Sequence, residues 1–133
     1  MIPNTYNVKI TVLRRMLNED LIREYASDTD VGAGAGLSVD EMMKCPVMKE
    51  GQEFIIPLAE RDLYFVDRDL MPKDFCLWAW AAIEKEVAIL SLGGGPVWMD
   101  KGDDRHGVII ACCTDGMRPV VFKLESVEPN RTS

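Results

Sequence analysis

Apolar and polar residues alternate along several short stretches of the chain, which is typical of half-buried β-strands. In the segment 7–13, Val8, Ile10 and Val12 fall on one side and polar residues on the other. Near the end of the chain, two apolar runs flank a turn-forming Thr-Asp-Gly sequence, and together they predict a hairpin. The expected strands cover about residues 7–13, 52–57, 107–113 and 119–127.

A second period, close to that of an α-helix, runs through the segment 74–92. The apolar residues that carry it are Cys76, Trp80, Ile83, Val87 and Leu90, at spacings of four, three, four and three. The following Gly-Gly-Gly-Pro sequence ends this helix, because glycine suits the left-handed C-cap and proline prevents continuation. A shorter helix is predicted over 18–26, where Asn18 is a good N-cap residue.

These elements predict an α+β fold: a small, mainly antiparallel sheet or partly open barrel, packed by the long helix, with the short helix at its edge. Strands that are dispersed along the chain and end in a hairpin favour this architecture over a doubly wound parallel sheet. A length of 133 residues fits a single domain over 1–133. Within it, 27–37 is expected to be a flexible glycine-rich loop and 129–133 a frayed tail.

Charge narrows the classes of partner. The chain has 22 acidic and 15 basic residues, and its net charge of −7 repels nucleic acid and anionic membranes on average. The longest apolar window, 75–92, is interrupted by Glu84-Lys85-Glu86, which argues against a membrane span. The N-terminal residues lack the pattern of a signal peptide. We therefore expect a cytoplasmic protein without nucleic-acid or membrane partners.

Four cysteines, Cys45, Cys76, Cys112 and Cys113, are the main candidates for chemistry. In a reducing cytoplasm they are expected to be buried thiols, metal ligands or redox groups rather than disulfides. The adjacent Cys112 and Cys113 point to opposite faces of a regular strand. We expect one of them to face the core together with Ile110, and the other to face away and to be the functional candidate.

A cysteine-based catalytic site can be built around that outward thiol. A two-residue hairpin turn would bring Asp115 close, and a thiolate near Arg118 would be stabilised by its positive charge. Cys76, near the start of the long helix, is a further nucleophile candidate, because the positive end of a helix stabilises a thiolate. The alternative stays open, since these cysteines and Cys45 are equally well explained as small apolar residues.

A metal site would need a less common arrangement of the same residues. The chain has no cysteine pair two to four residues apart, which is the usual spacing of structural zinc sites. Zinc or iron would instead require Cys45, Cys76 and Cys113 to converge from three separate elements. The single histidine, His106, is a candidate fourth ligand, although its turn-like surroundings also fit an exposed spacer.

Several sequence boxes recur in order along most of the chain. They are Lys9-Ile-Thr-Val-Leu13, Cys45-Pro with Lys49-Glu-Gly-Gln-Glu-Phe54, Phe75-Cys-Leu-Trp-Ala-Trp80, Gly93-Gly with Trp98-Met99, and Ala111-Cys-Cys-Thr-Asp-Gly116 with Arg118-Pro-Val-Val-Phe-Lys-Leu-Glu125. Together they resemble a family of small prokaryotic proteins, frequent in anaerobes, that has no assigned biochemical function. The resemblance implies that the cysteine positions are used for something and that 27–40 and 60–70 are insertions. It implies no reaction and no catalytic role.

Three functions fit these observations, and whether the chain is an enzyme stays open. The first is a small cytoplasmic protein whose cysteine site, through thiolate chemistry or a bound metal, acts on or binds a small molecule. The second is a non-catalytic accessory or binding module that associates with itself or with a partner enzyme through a Trp and Met surface. The residues that could form that surface are Trp78, Trp80, Trp98, Met42, Met43 and Met48, although the tryptophans could also pack in the core or line an aromatic pocket. The third is a ligand-binding pocket in which all cysteines are core residues.

Overall fold

The structure, a computed structural model, describes residues 6–25, 44–59, 70–94 and 107–129. Its elements in chain order are β1 (Asn7–Arg15), α1 (Glu19–Tyr25), β2 (Glu53–Ile56), α2 (Leu77–Ser91), β3 (Val108–Cys112) and β4 (Val120–Val127). Each of them lies where the hydrophobic pattern predicts an element of that type, and the α+β fold class is confirmed. The predicted loop 27–37 and most of the predicted tail lie outside the described residues.

The four strands form one antiparallel sheet in the order β2-β1-β4-β3. The two long strands, β1 and β4, occupy the centre and pair along their length, with a β-bulge between Val12 and Arg14. The shorter β2 and β3 lie at opposite edges. The sheet is therefore open, which is the first of the two architectures that the sequence predicts.

One face of the sheet is covered by α2, and the core lies between them. Alternate residues of each strand point toward the helix, as the two-residue period of a strand requires. The fully buried side chains of this core include Val8, Ile10, Ile83, Leu90, Phe122 and Leu124. Phe75, just before α2, packs edge-on against Phe54 of β2, with ring centroids 5.0 Å apart.

The start of α2 differs from the prediction, whereas its end agrees. The predicted helix covers 74–92, but the φ of 64° at Asp74 is a left-handed conformation that a helix interior does not contain. Cys76 is the N-cap residue instead. At the other end, the Gly93 N–H donates to the Leu90 carbonyl over 3.0 Å, and Gly93 takes the positive φ that suits glycine at a helix C-terminus. Within the described residues, no helix is long and apolar enough to cross a membrane.

The short helix α1 begins directly after Asn18, as predicted, but the asparagine side chain has another role. The Asn18 carbonyl accepts the first helical hydrogen bonds from the N–H groups of Leu21 and Ile22, both 3.1 Å long. Its side-chain amide donates to the Gly116 carbonyl over 2.5 Å, and its backbone N–H donates to the Met117 carbonyl over 2.9 Å. These bonds fasten α1 to the connection between β3 and β4.

Candidate functional site

The connection between β3 and β4, residues 113–119, holds the charged residues that the sequence places beside the cysteines. It is longer than the expected two-residue turn. Asp115 Oδ1 accepts hydrogen bonds from the N–H groups of Met117, at 2.9 Å, and Arg118, at 3.1 Å. This is the geometry of an aspartate that stabilises a turn through its own backbone. Asp115 is therefore in the first place a turn former.

Asp115 and Arg118 interact with each other through opposite charges. Partial burial raises the pKa of Asp115, but the N–H groups of Arg118 and Met117 and the nearby guanidinium lower it more, and its pKa lies below the usual value. The Arg118 Nε lies 3.5 Å from the Asp115 Oδ2. A carboxylate that stays ionised is a poor proton donor near neutral pH, and the guanidinium already has a negative partner that competes with any thiolate.

The two adjacent cysteines lie on opposite sides of the sheet, as the alternation of a strand predicts. Cys112 is exposed on the side away from α2 and pairs with Val121 across the strands. Cys113 is half-buried and packs against the core, and its Sγ accepts a hydrogen bond from the Val120 N–H at 3.3 Å. The outward thiol is therefore that of Cys112, and Cys113 is held by its neighbours.

Ile110 is 47% exposed on the same side as Cys112, and the expectation that Ile110 faces the core is wrong. The reason is the register of this edge strand. Ile109 pairs with the fully buried Leu124, so Ile109 takes the inward position instead. Three consecutive apolar residues, Val-Ile-Ile, open β3, and hydrophobicity alone cannot tell which of them faces inward.

The other two cysteines are half-buried and pack against the edge of the core. The Cys76 carbonyl accepts the Trp80 N–H over 2.9 Å, while its thiol makes no capping bond to the helix. The Cys45 carbonyl accepts a hydrogen bond from Arg15 Nη1 at 3.2 Å, and Arg15 Nε also contacts a Glu50 carboxylate oxygen at 2.7 Å. These polar contacts use the backbone of both cysteines, and their side chains serve as small apolar groups.

A metal centre is not assembled from these cysteines. All four are free thiols. Across the described parts of the chain, no three His, Cys, Asp or Glu side chains are placed to hold one metal ion. Cys45, Cys76 and Cys113 thus touch a common core without forming the three-element site for zinc or iron that the sequence suggests. His106 lies outside the described residues.

Large apolar side chains are exposed on the side of α2 that points away from the sheet. This surface, called here the outer face of α2, consists of Leu77, Trp78, Ala81, Glu84, Lys85, Ala88, Ile89 and Leu92. Leu77 is 68% and Trp78 is 77% exposed, at the first turn of the helix. Ile89 and Leu92, near its end, are 39% and 43% exposed. Large apolar side chains therefore reach water at both ends of this face.

The outer face of α2 overlaps only in part with the Trp and Met surface that the sequence predicts. Trp78 belongs to it, but Trp80 is only 8% exposed, which agrees with the alternative of core packing, and Met48 is fully buried, so the contact-surface role for Met48 is wrong. Trp98, Met42 and Met43 lie outside the described residues. A signal for part of this face was present in the sequence, because Leu77 and Trp78 are large apolar residues that lie outside the predicted apolar stripe of the helix.

Comparisons with protein-family models, with curated proteins and with solved structures give no match. The exposure, contacts and charges of the described residues are therefore what distinguishes one function from another.

Proposed function

We propose that this chain is a cytoplasmic, non-catalytic binding module that docks another protein chain on the outer face of α2. The observation that carries this proposal is the pair of large apolar residues at the start of the helix, Leu77 and Trp78, of which 68% and 77% is exposed. Tryptophan is enriched among the residues that dominate binding energy at protein interfaces. A side chain of this size removes a large apolar area from water when a partner covers it.

The pattern of α2 supports the same conclusion. Its inner side, with Ala79, Ile83, Val87 and Leu90, is already buried against the sheet. The outer face exposes Leu77, Trp78 and Ile89 beside the charged Glu84 and Lys85, and large exposed apolar side chains rimmed by polar residues mark protein contact surfaces. The sheet covers one side of α2, and a docked protein would cover the other.

The positions of the cysteines favour this function over a thiol-based enzyme. Cys45, Cys76 and Cys113 pack against the core, and Arg118 already pairs with Asp115. A cysteine-based site would have to use Cys112, the exposed thiol on the side of the sheet opposite to α2. In the proposed function the other three thiols are packing residues, and no reaction at a small molecule is required.

Photocross-linking in the cells that naturally produce the protein tests this function. The photoreactive residue p-benzoylphenylalanine would replace Ala81, an exposed alanine of the outer face. A matched variant would carry it at Ile55, which is 45% exposed on the open side of the sheet. We expect a protein adduct of higher mass from position 81 and none from position 55. Equal adducts from both positions, or no adduct from position 81, would contradict the proposed function.

A further inference from the structure

The outer face of α2 has two flanks with different chemistry. Successive helical residues are about 100° apart, so neighbours in sequence lie on opposite sides of the midline of the face. One flank carries Leu77, Glu84 and Ala88. The other flank carries the next residue in each case: Trp78, Lys85 and Ile89. Ala81 and Leu92 lie near the midline between the flanks.

Two of these neighbouring pairs are complementary. Trp78 and Leu77 are large apolar residues at nearly the same level along the helix axis, on opposite flanks. The positive Lys85 and the negative Glu84 are likewise at nearly the same level and on opposite flanks. Glu84 and Lys85 are both exposed. Within the described residues, neither of them forms an ion pair. The face therefore presents one unpaired charge of each sign at the same level of the helix.

We propose that the partner which docks on this face is a second copy of the same chain, with the two α2 helices parallel about a two-fold axis. The proposal rests on the proposed function and names its partner. A two-fold axis along the helices places each flank against the opposite flank of the other copy. Trp78 then packs on Leu77 of the second copy, and Lys85 meets Glu84 of the second copy. Symmetry makes each contact twice.

Charge decides the orientation of the two helices. In an antiparallel pair, a two-fold axis brings each flank against the same flank of the second copy. With the axis near the middle of α2, Lys85 would then lie close to Lys85 and Glu84 close to Glu84, and like charges at an interface disfavour that arrangement. In the parallel pair, each Lys85 lies close to a Glu84 of the other copy, so both contacts are attractive. The small side chains of Ala81 on the midline allow the two helices to approach closely.

The size of the surface sets the strength of this dimer. With 15 residues, α2 is about 22 Å long. One helix face of this length is smaller than the roughly 800 Å² per partner of a standard stable interface. We therefore expect a reversible dimer in the micromolar range or weaker, with a mass that rises with protein concentration.

Charge reversal of the purified full chain tests the pairing, with dimer dissociation measured by sedimentation equilibrium. Glu84→Lys alone and Lys85→Glu alone each place like charges together twice, and each should weaken the dimer roughly tenfold. The double variant Glu84→Lys, Lys85→Glu restores opposite charges and should return the affinity to within about threefold of the original. Glu24→Lys, an exposed reversal on α1, is the matched control and should leave the dimer unchanged.

A disulfide reports the orientation independently. Ala81→Cys in a Cys112→Ser background should give a covalent dimer on mild oxidation, because the parallel pair places residue 81 opposite residue 81, whereas an antiparallel pair with its axis near the middle of α2 places it about one to two helical turns away. A protein that stays monomeric at millimolar concentration would overturn the inference, as would a double reversal that does not restore affinity. If such a monomer still gives an adduct with a different protein from position 81 in cells, the proposed function stands and only the second copy is excluded as partner.

Discussion

The open side of the sheet and the outer face of α2 differ in how their exposed charged residues are paired. On the open side of the sheet, charged side chains form ion pairs with each other, either between adjacent strands or along the same strand. Lys9 on β1 contacts Glu53 on β2 at 2.5 Å, and Lys123 contacts Glu125 along β4 at 3.4 Å. On the outer face of α2, large apolar side chains dominate, and the charges of Glu84 and Lys85 have no ion-pair partner among the described residues.

This difference shows which surface the folded chain satisfies by itself. Strands pair side by side, so their outward residues meet neighbours from other strands, and opposite charges can be matched within one chain. The open side of the sheet also exposes Ile55 and Ile110, but the outer face of α2 has the more exposed side chains, Leu77 at 68% and Trp78 at 77%. Such residues gain burial when a partner covers them, and for this reason we infer that the helix, rather than the sheet, makes the contact.

The largest expected effect is on stability, and it distinguishes the inner side of α2 from its outer face. Changing Ile83, which is fully buried against the sheet, to Ala should lower the free energy of unfolding by about 2–4 kcal/mol. Trp78→Ala on the outer face should change the free energy of unfolding of the monomer by less than about 0.5 kcal/mol, because the exposed indole has few contacts to lose. Urea unfolding at low protein concentration measures both. Similar losses from the two variants would mean that Trp78 contributes to the fold of the single chain.

The second effect compares the outer face of α2 with the open side of the sheet. Trp78→Ala should weaken the dimer at least about tenfold, because a large aromatic residue that becomes buried at an interface contributes strongly to binding. Ile55→Ala removes an apolar side chain of 45% exposure from the sheet and should leave the association constant unchanged. Sedimentation equilibrium measures both variants. If Ile55→Ala weakens the dimer and Trp78→Ala does not, the interface lies on the open side of the sheet and not on the outer face of α2.

Thiol reactivity probes the open side of the sheet directly. Cys112, which is exposed there, should react with a thiol reagent at least about tenfold faster than the half-buried cysteines. Cys112→Ser should remove the fast phase, whereas Cys113→Ser, a change of the adjacent, half-buried thiol on the core side, should leave it. Stopped-flow absorbance with an aromatic disulfide follows the reaction. If the fast phase is still present in Cys112→Ser, the reactive thiol is a different cysteine, and a cysteine-based catalytic site would again be a candidate function.

The smallest effect concerns the ion pairs that satisfy the open side of the sheet. The hydrogen bond to Glu53 raises the pKa of Lys9, burial lowers it by less, and the charges of Glu53 and Glu125 add to the increase. A raised folded pKa means that the stabilisation is complete below the unfolded value of about 10.4 and is lost as pH rises through the folded value.

Glu53→Gln should therefore cost a few tenths of a kcal/mol at pH 8 and almost nothing well above the folded pKa of Lys9. Urea unfolding at both ends of this range measures the difference, and NMR titration of the Lys9 ammonium should show a lower pKa in the variant. Glu24→Gln removes the same charge from the exposed surface of α1 and is the control. If the control shows the same pH dependence, the effect arises from net charge and not from the pair.

Much of the fold follows from periodicity in the sequence. The alternation in β1 and β4 and the helical period of α2 place these elements within a few residues of their observed bounds. These signals are strong because a half-buried strand and a helix on a sheet each bury one side along their whole length. The start of α2 is less well predicted, since Asp74 looks like a helix-opening residue but has a left-handed backbone, and the helix begins only after Cys76.

The candidate site could be predicted only in part. Alternation correctly separates Cys112 from Cys113, but it does not tell which of them faces the core, and the assignment of Ile110 to the core is wrong. Met48, which composition suggests as a surface residue, is fully buried. In these cases the deciding contact comes from a residue far away in sequence, such as Leu124 for the register of β3.

The sequence by itself determined the type, the order and the approximate length of the elements, because helix and strand periods are local properties of neighbouring residues. The tertiary structure decided which apolar surfaces are covered. The helical period sets Trp80 apart from Trp78, two positions earlier, but that the side with Trp80 is the covered one follows only from the position of the sheet. Coverage depends on contacts between distant segments, and only the folded chain reveals the surface that is left for a partner.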